Sequence, residues 1–355
     1  MTSDDTSSKT PEDRTMKQIG ASGIFVPAMG NGTQAWGDKR FGYGTSYTRD
    51  NLYAIYKMCL DAGLNFFDTS DTYGKGLAEE LLGEFHRKDG RPVTIATKFT
   101  QAKLYDPNRN LSVRAVKTVL ESSLKRLQVD TVDLYQVHYP PARRALDRYL
   151  DAMADTVKSG KAKAVGVSNF STDYLRYSYS YLWSVHGVRL ASSQVGFNLL
   201  HRHPETNGML DACRELGVTI LPILPLAEGV LTGKYRAGGQ EYGSQAATLF
   251  RGASLFEPGE SFFKAMRSKP YEMHREELEP LFDVMDAIAR AHEGTIAQVA
   301  LNWLIASDPL VIPIPGAKSP SQVTSNAAAL GWTMSATEFR RLSQTEAEIR
   351  RAIGY

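Results

Sequence analysis

The chain has 355 residues, 42% hydrophobic and 23% charged, enough to bury a large core. A formal net charge of +2, an isoelectric point near 8.3 and the lack of any dense Lys/Arg block argue against nucleic acid as a partner. The only cysteines, Cys59 and Cys213, read as buried free thiols rather than a disulfide framework, and no apolar stretch of about 18 residues is present to span a membrane.

Residues 1–15 are polar and acidic, and read as a disordered tail rather than a signal or transit peptide, which predicts a cytoplasmic protein. A hairpin is predicted over Lys17 to Val26, turning at Ala21-Ser22-Gly23. Short apolar runs then follow at 28–33, 65–70, 93–99, 132–138, 162–168, 190–197, 219–225 and 310–315. They are near-continuous rather than alternating, as strands covered on both faces should be. Helical patterns separate them at 50–62, 77–88, 113–127, 145–159, 172–185, 206–216, 277–292, 295–306 and 319–329. In 113–127, Val113, Val116, Val119, Leu120, Leu124 and Leu127 recur at helical spacing, with Ser112 as the expected N-cap. A further helix is predicted from Ser335 to Ile353. Eight strands feeding helices specify an α/β fold, a (β/α)8 TIM barrel, with an N-terminal β-hairpin and an extra C-terminal helix. Residues 16–355 are expected to form that one domain. Residues 236–276, rich in Gly and Pro, form a long loop expected to hang over the active-site face.

Active sites of such barrels lie at the C-terminal ends of the strands. The second run ends in Asp68-Thr69-Ser70-Asp71-Thr72-Tyr73-Gly74, the third in Lys98 and the fourth in His138. A carboxylate in apolar ground needs a partner, and Lys98 can supply it. An ammonium beside the Tyr73 phenol is expected to lower its pKa and ease proton donation, while a neutral His138 can orient a carbonyl. Asp71 acquires no chemistry on this reading. His201 and His203 flank Arg202 but lack carboxylate or cysteine partners at ligand spacing, so no metal site is expected. Gly30-Asn31-Gly32-Thr33-Gln34-Ala35 matches G-x-G-x-x-A, but no helix follows it, so the dinucleotide-fold context fails.

These motifs agree in type, order and spacing with the aldo-keto reductases, which the chain resembles over roughly residues 17–345. The resemblance assigns a tetrad: Tyr73 as general acid, Lys98 as its tuner, Asp68 as the lysine's anchor and His138 for carbonyl orientation. It also implies NADPH held extended across the barrel rim. Val165-Gly166-Val167-Ser168-Asn169-Phe170 resembles the motif whose Ser168 and Asn169 hold the nicotinamide carboxamide, with Gln194 as third contact. The stretch Pro225 to Tyr235 resembles the pyrophosphate strap, through Pro225, Leu226, Gly229, Leu231 and Lys234. Gly316-Ala317-Lys318-Ser319-Pro320-Ser321-Gln322, with Asn326, resembles the site for the adenosine phosphate, which favours NADPH over NADH. Gly32, Thr33, Gln34, Asp68 and Ile223 complete the implied cofactor surface. The chain departs from the family in carrying Ile223 where many relatives stack an aromatic ring. It has Phe197 where many have Tyr, and Gln322 where other branches have Arg, which puts more of the phosphate charge on Lys318.

Aromatic residues follow several strand ends, and Trp36, Tyr105 and Tyr139 are expected to line the substrate pocket. The implied activity is NADPH-dependent reduction of a small-molecule aldehyde or ketone, with no nucleic acid or membrane partner. Two alternatives stand beside it. One is an NADPH-binding regulatory or sensor subunit of the same fold with little turnover. The other is a hydrolase pairing Asp68 with Asp71, which leaves Lys98 and Ser168-Asn169 without a task. Neither the carbonyl substrate nor the oligomeric state is legible in the residues.

Overall fold

The computed structural model describes residues 16–100, 113–236, 239 and 276–352. The hairpin is β1 (Met16–Gln18) and β2 (Phe25–Pro27), paired antiparallel. A curled parallel sheet follows in strict chain order: β3 (Asn31–Gly32), β4 (Phe66–Asp68), β5 (Thr94–Phe99), β6 (Val132–Val137), β7 (Ala162–Ser168), β8 (Leu190–Gly196) and β9 (Thr219–Ile223). The eighth predicted strand, 310–315, closes the barrel without forming a full ladder. On one side Ile312 N–H donates to Ile220 O at 2.9 Å, and on the other Gly30 and Gly32 donate to the carbonyls of Pro313 and Pro315, both at 2.9 Å. Pro313 and Pro315 have no N–H to return, so this seam carries hydrogen bonds in one direction only.

The helices are α1 (Arg49–Asp61), α2 (Leu77–Asp89), α3 (Val113–Leu127), α4 (Arg143–Lys158), α5 (Thr172–His186), α6 (His203–Thr206) and α7 (Met209–Leu216). Further along the chain come α8 (Glu279–Ala291), α9 (Ile296–Ser307), α10 (Pro320–Ala328) and α11 (Ala336–Ala352). Local chemistry sets their ends. Thr48 with Asn51 and Thr295 with Gln298 form capping boxes at α1 and α9. The helix predicted over 206–216 starts only at Met209, because Gly208 takes a left-handed φ of 79° as its N-cap, and the short α6 precedes it. Buried positions on α1, namely Leu52, Ile55, Tyr56 and Cys59, follow the 3–4 spacing that faces the sheet. Cys59 and Cys213 are free and buried, and burial pushes both thiols up to about 12.

The barrel interior has two layers of opposite character. Phe66, Ala96, Leu134, Ala164, Leu221, Ile312 and Ile314 fill the lower part, and Ile19 and Val26 of the hairpin join them. The Gly20 N–H donates to Thr219 Oγ1 at 2.8 Å, which seats the hairpin on the N-terminal end of β9. Burying a side chain such as Phe66 contributes about 1.5–3 kcal/mol. Two residues further along β4, β5 and β6, the same inward face carries Asp68, Lys98 and Gln136, and β8 adds Ser192 and Gln194. This polar layer is as tight as the apolar one. A Cβ on Gly166 would come within 2.1 Å of Ser192 Oγ and 3.1 Å of Gln136 Cγ.

Candidate active site

The polar layer is built around one buried ion pair. Lys98 and Asp68 are 0% and 1% exposed, and Lys98 Nζ stands 2.6 Å from Asp68 Oδ2. The ammonium has three N–H donors, and all three have acceptors: Asp68 Oδ2, the Thr69 carbonyl at 2.8 Å and the Tyr73 phenol oxygen at 3.3 Å. Tyr73 therefore accepts from the ammonium, which leaves the phenol's own proton free to point elsewhere. Asp68 Oδ1 accepts from Gln194 Nε2 at 2.9 Å and Gln136 Nε2 at 3.3 Å. The carboxylate expected to border the cofactor is thus engaged with protein on both oxygens. Ser192 Oγ in turn donates to Gln136 Oε1 at 3.3 Å.

The loop that presents Tyr73 is held from behind. Tyr73 opens a short 3-10 turn (Tyr73–Gly76) that leads directly into α2. On α2, Glu79 is fully buried and accepts from Thr97 Oγ1 at 2.5 Å, while Arg126 of α3 lies 2.6 Å away. Odd residues of β5 thus tie down the helix while even ones supply Lys98 to the interior.

Burial and the charges of Asp68 and Asp71 hold the Tyr73 phenol well above its ordinary value of 10. Burial outweighs the lowering expected from Lys98, whose ammonium is paired with Asp68 at 2.6 Å. The phenol is consequently held in its proton-bearing form. His138 is buried at 7% exposure, and burial together with the Lys98 charge drives its pKa well below 6.5, so the imidazole is neutral. Its ring meets Tyr73 edge-on at 5.9 Å and stacks on Tyr139 at 4.5 Å. Its Nδ1 lies 2.7 Å from Thr100 Oγ1 and 3.2 Å from Ser70 Oγ. The structure therefore brings Asp68, Tyr73, Lys98 and His138 together, as the motif spacing predicted. It adds Gln136, Ser70 and Thr100, which sequence reasoning missed. A polar residue two positions after an inward-facing Leu134 was the available signal for Gln136.

The residues implied for a cofactor lie at the strand ends and in the segments that follow them. Asn169 adopts a φ of 60°, and its amide donates to the His138 carbonyl at 3.0 Å and to Ser168 Oγ at 3.1 Å. The strap after β9 bends sharply, with positive φ at Ala227, Glu228 and Gly229. Burial lifts the Glu228 carboxyl to about 8, so near pH 7 it is mostly uncharged and does not repel an anion. Lys234 and Lys318 are exposed, and partial burial and the Lys234 charge lower the Lys318 pKa. A second ammonium close enough to depress Lys318 makes this part of the surface electropositive and suited to an anion. Ser319 caps α10 by accepting from the Gln322 N–H, and Gln322 Oε1 accepts from the Lys318 N–H at 2.8 Å. Asn326 is buried, with its amide 3.5 Å from the Gly316 carbonyl. Gly32 and Gly316 bridge one another across the closing seam, and Gln34 is exposed nearby in sequence.

Three of the expected contacts require correction. Trp36 does not line a pocket: it is 1% exposed, packs on Phe67 and Phe85, and donates its indole N–H to the Ala317 carbonyl at 3.2 Å. The Thr33 hydroxyl and the Leu231 side chain are fully buried, Thr33 bonding to the Asp68 carbonyl at 3.0 Å, so only their backbones can meet a ligand. Both lie where the chain turns inward to pack, which the motif alone does not reveal. Tyr105 and most of the 236–276 loop lie outside the described residues. Phe197 is fully buried edge-on against Trp303, at 5.7 Å, where a tyrosine hydroxyl would need a partner.

A shallow cavity lies behind Asn169 and Ile223, lined also by Gly196, His201, His203 and Met209. His201 Nδ1 is buried without a partner, and burial lowers that imidazole to about 4. Its folded pKa is below its unfolded value near 6.5. Its contribution is therefore present above pH 6.5 and is lost as pH falls towards 4, by up to about 3 kcal/mol. Urea unfolding of wild type and His201→Asn at pH 7 and pH 4.5 measures this. An equal acid sensitivity in the variant would refute it.

Among the described residues, no group of three or more His, Cys, Asp or Glu is placed to hold a metal ion, and no helix is long and apolar enough to cross a membrane. A closed parallel barrel with a buried Asp–Lys–Tyr–His group at its C-terminal rim defines an oxidoreductase scaffold of one class. The chain belongs to the aldo/keto reductase family, whose profile matches residues 28–347. It is 34% identical over 339 residues to the chloroplastic pyridoxal reductase of Arabidopsis thaliana, covering 92% of this chain and 84% of that one. It is 31% identical to an NADP(+) aldo-keto reductase of Schizosaccharomyces pombe, covering 86% and 84%. The crystal structure of an aldo-keto reductase from Klebsiella pneumoniae in complex with NADPH matches it at a TM-score of 0.66 and 26% identity, over 93% of this chain and 94% of that one.

Proposed function

We propose that the protein reduces an aldehyde or ketone to an alcohol with NADPH, with Tyr73 as the proton donor. The observation that carries this reading is the Lys98 ammonium, whose three donors go to Asp68, Thr69 and the Tyr73 phenol oxygen. That arrangement orients a protonated phenol at a barrel rim, and its other groups leave it one outward task. NADPH, when bound, supplies hydride to the carbonyl carbon. Tyr73 then gives its proton to the carbonyl oxygen, which as an alkoxide is a far stronger base than a phenolate. The raised phenol pKa is therefore compatible with donation, since the proton moves only as that charge develops. Lys98 steadies the phenolate left behind, and Asp68 keeps Lys98 in place. Neutral His138 donates from Nε2 to the carbonyl oxygen and orients it.

Ser168, Asn169 and the free half of the Gln194 amide would hold the nicotinamide carboxamide, with Ile223 packed against the ring. The 225–234 strap, through Pro225, Leu226, Gly229, Lys234 and the Leu231 backbone, would meet the pyrophosphate. Lys318, with Ser319, Gln322 and Asn326, would meet the adenosine phosphate, and Gly32, Thr33, Gln34 and Gly316 would border it. Tyr139, stacked on His138, would form one wall for the substrate.

NADPH oxidation against a panel of carbonyls that includes pyridoxal tests the activity. Turnover without any partner protein separates an enzyme from a regulatory barrel. No NADPH consumption with any carbonyl would overturn the reading. Cofactor binding has its own test: Lys318→Ala should weaken NADPH about 10-fold or more by fluorescence titration and leave NADH nearly unchanged. Equal losses for both cofactors would remove Lys318 from the phosphate.

A further inference from the structure

Asp71 has no place in the tetrad, yet it bonds to both residues whose hydroxyls meet His138 Nδ1. Its Oδ2 accepts from the Thr100 backbone N–H at 3.1 Å, and its Oδ1 accepts from Ser70 Oγ at 3.1 Å. Thr100 Oγ1 and Ser70 Oγ are the two oxygens at His138 Nδ1, at 2.7 and 3.2 Å. A third hydroxyl, Thr72 Oγ1, joins them at 3.1 Å from Ser70 and 3.5 Å from Thr100. Proton bookkeeping orients this cluster. A hydroxyl has one proton, and Ser70 gives its own to the Asp71 carboxylate while accepting from the Thr72 N–H at 3.3 Å. Thr100 Oγ1, at the shorter distance, can then donate to Nδ1. With Nδ1 accepting, the single proton of the neutral imidazole sits on Nε2, the nitrogen available to a carbonyl.

We infer that Asp71 is a positioning residue for the proposed reduction: through Thr100 and Ser70 it fixes His138 as the Nε2–H tautomer, aimed at the substrate oxygen. The inference rests on the carbonyl-reductase reading of the same site. Removing the carboxylate frees the Ser70 proton and the Thr100 backbone together, so the ring loses its fixed orientation while Tyr73, Lys98 and Asp68 stay in place. The surroundings add a pH signature. Burial, joined by the Glu79 charge on α2, raises the Asp71 carboxyl to about 6 against the opposing bonds from Thr100 and Ser70. Tyr73 in the loop and Tyr135 on β6 feel its charge, and both stay protonated. Burial and the Lys98 charge hold the His138 imidazole well below its ordinary value. Below about pH 6 the anchor loses its charge, and both of its bonds weaken.

The test compares Asp71→Asn, Thr100→Val and the double variant with wild type. At pH 7.5 each single variant should lose about 10-fold in kcat, with NADPH affinity within about 2-fold of wild type. The double variant should be no slower than the worse single one, because both act on the same ring. Wild-type kcat should fall below about pH 6, and Asp71→Asn should lack that limb because an amide does not titrate there. Thr100→Ser, which keeps the hydroxyl, should retain wild-type kcat within about 2-fold. Losses that multiply in the double variant, or an acid limb that persists in Asp71→Asn, would overturn the inference. A readout without turnover covers failure of the functional reading. In 15N spectra the His138 ring signals should report the Nε2–H tautomer in wild type and shift in both Asp71→Asn and Thr100→Val. If wild type reduces no carbonyl, the activity reading fails while these spectra still decide the placement: unchanged His138 signals in both variants reject it.

Discussion

Tyr73→Phe is expected to lower kcat for carbonyl reduction by about 10²–10⁴-fold, the range set by removing a positioned general acid. The change deletes one oxygen and keeps the ring, so the edge-on contact with His138 survives. Its structural cost is small, because the bond lost is the longest of the three that Lys98 makes, at 3.3 Å. A hydrogen bond from a charged group contributes about 1.5–3 kcal/mol net, and this one is long. The affinity for NADPH should stay within about 2-fold, since no residue of the strap or of the 316–326 segment is touched. Stopped-flow reduction at saturating NADPH, beside a fluorescence titration, separates the two effects. A variant that keeps kcat within 10-fold of wild type would remove Tyr73 from the proton transfer and leave His138 as the next candidate.

Lys98→Met should act on stability as well as on rate. The substitution keeps the volume and removes an ammonium that serves a fully buried carboxylate, a carbonyl and a phenol. Asp68 then keeps only the amides of Gln194 and Gln136. Breaking a buried pair by removing one partner costs about 3–5 kcal/mol, against about 0–1 kcal/mol for an exposed pair. The loss should depend on pH in a definite direction. Without its partner, the buried carboxyl of the variant favours its protonated form, so its folded pKa lies above the unfolded one. The variant therefore recovers stability as pH falls and loses it as pH rises through the folded value. Urea unfolding at pH 5 and pH 8 checks this, with the larger deficit relative to wild type expected at pH 8. A deficit under about 1 kcal/mol at both values would show that Lys98 and Asp68 are not coupled as the 2.6 Å contact requires.

The barrel was legible in the residues because its strands are buried on both faces. Continuous apolar runs such as 132–137 and helices with 3–4 spacing such as α1 carry their own period, and that period survives any detail of packing. The seam at 310–315 was legible as an apolar run but not in its manner of closure, which depends on where Pro313 and Pro315 fall against Gly30 and Gly32. Trp36 shows the opposite error: a large aromatic at a strand end reads as a pocket wall, yet this one turns back between Phe67 and Phe85.

By itself the sequence determined which groups are delivered to the rim: Asp68, Tyr73, Lys98 and His138 stand at the ends of consecutive apolar runs, and strand polarity sends each to the same end of the barrel. Only the tertiary structure decided what those groups are to one another. Asp68 meets Lys98, Gln136 and Gln194 because parallel register sets inward-facing residues of separate strands at one level. Asp71 reaches His138 only through Thr100 and Ser70, over distances of about 3 Å between segments far apart in the chain. Spacing along a strand is written in sequence. Adjacency across strands arises only when the sheet curls shut.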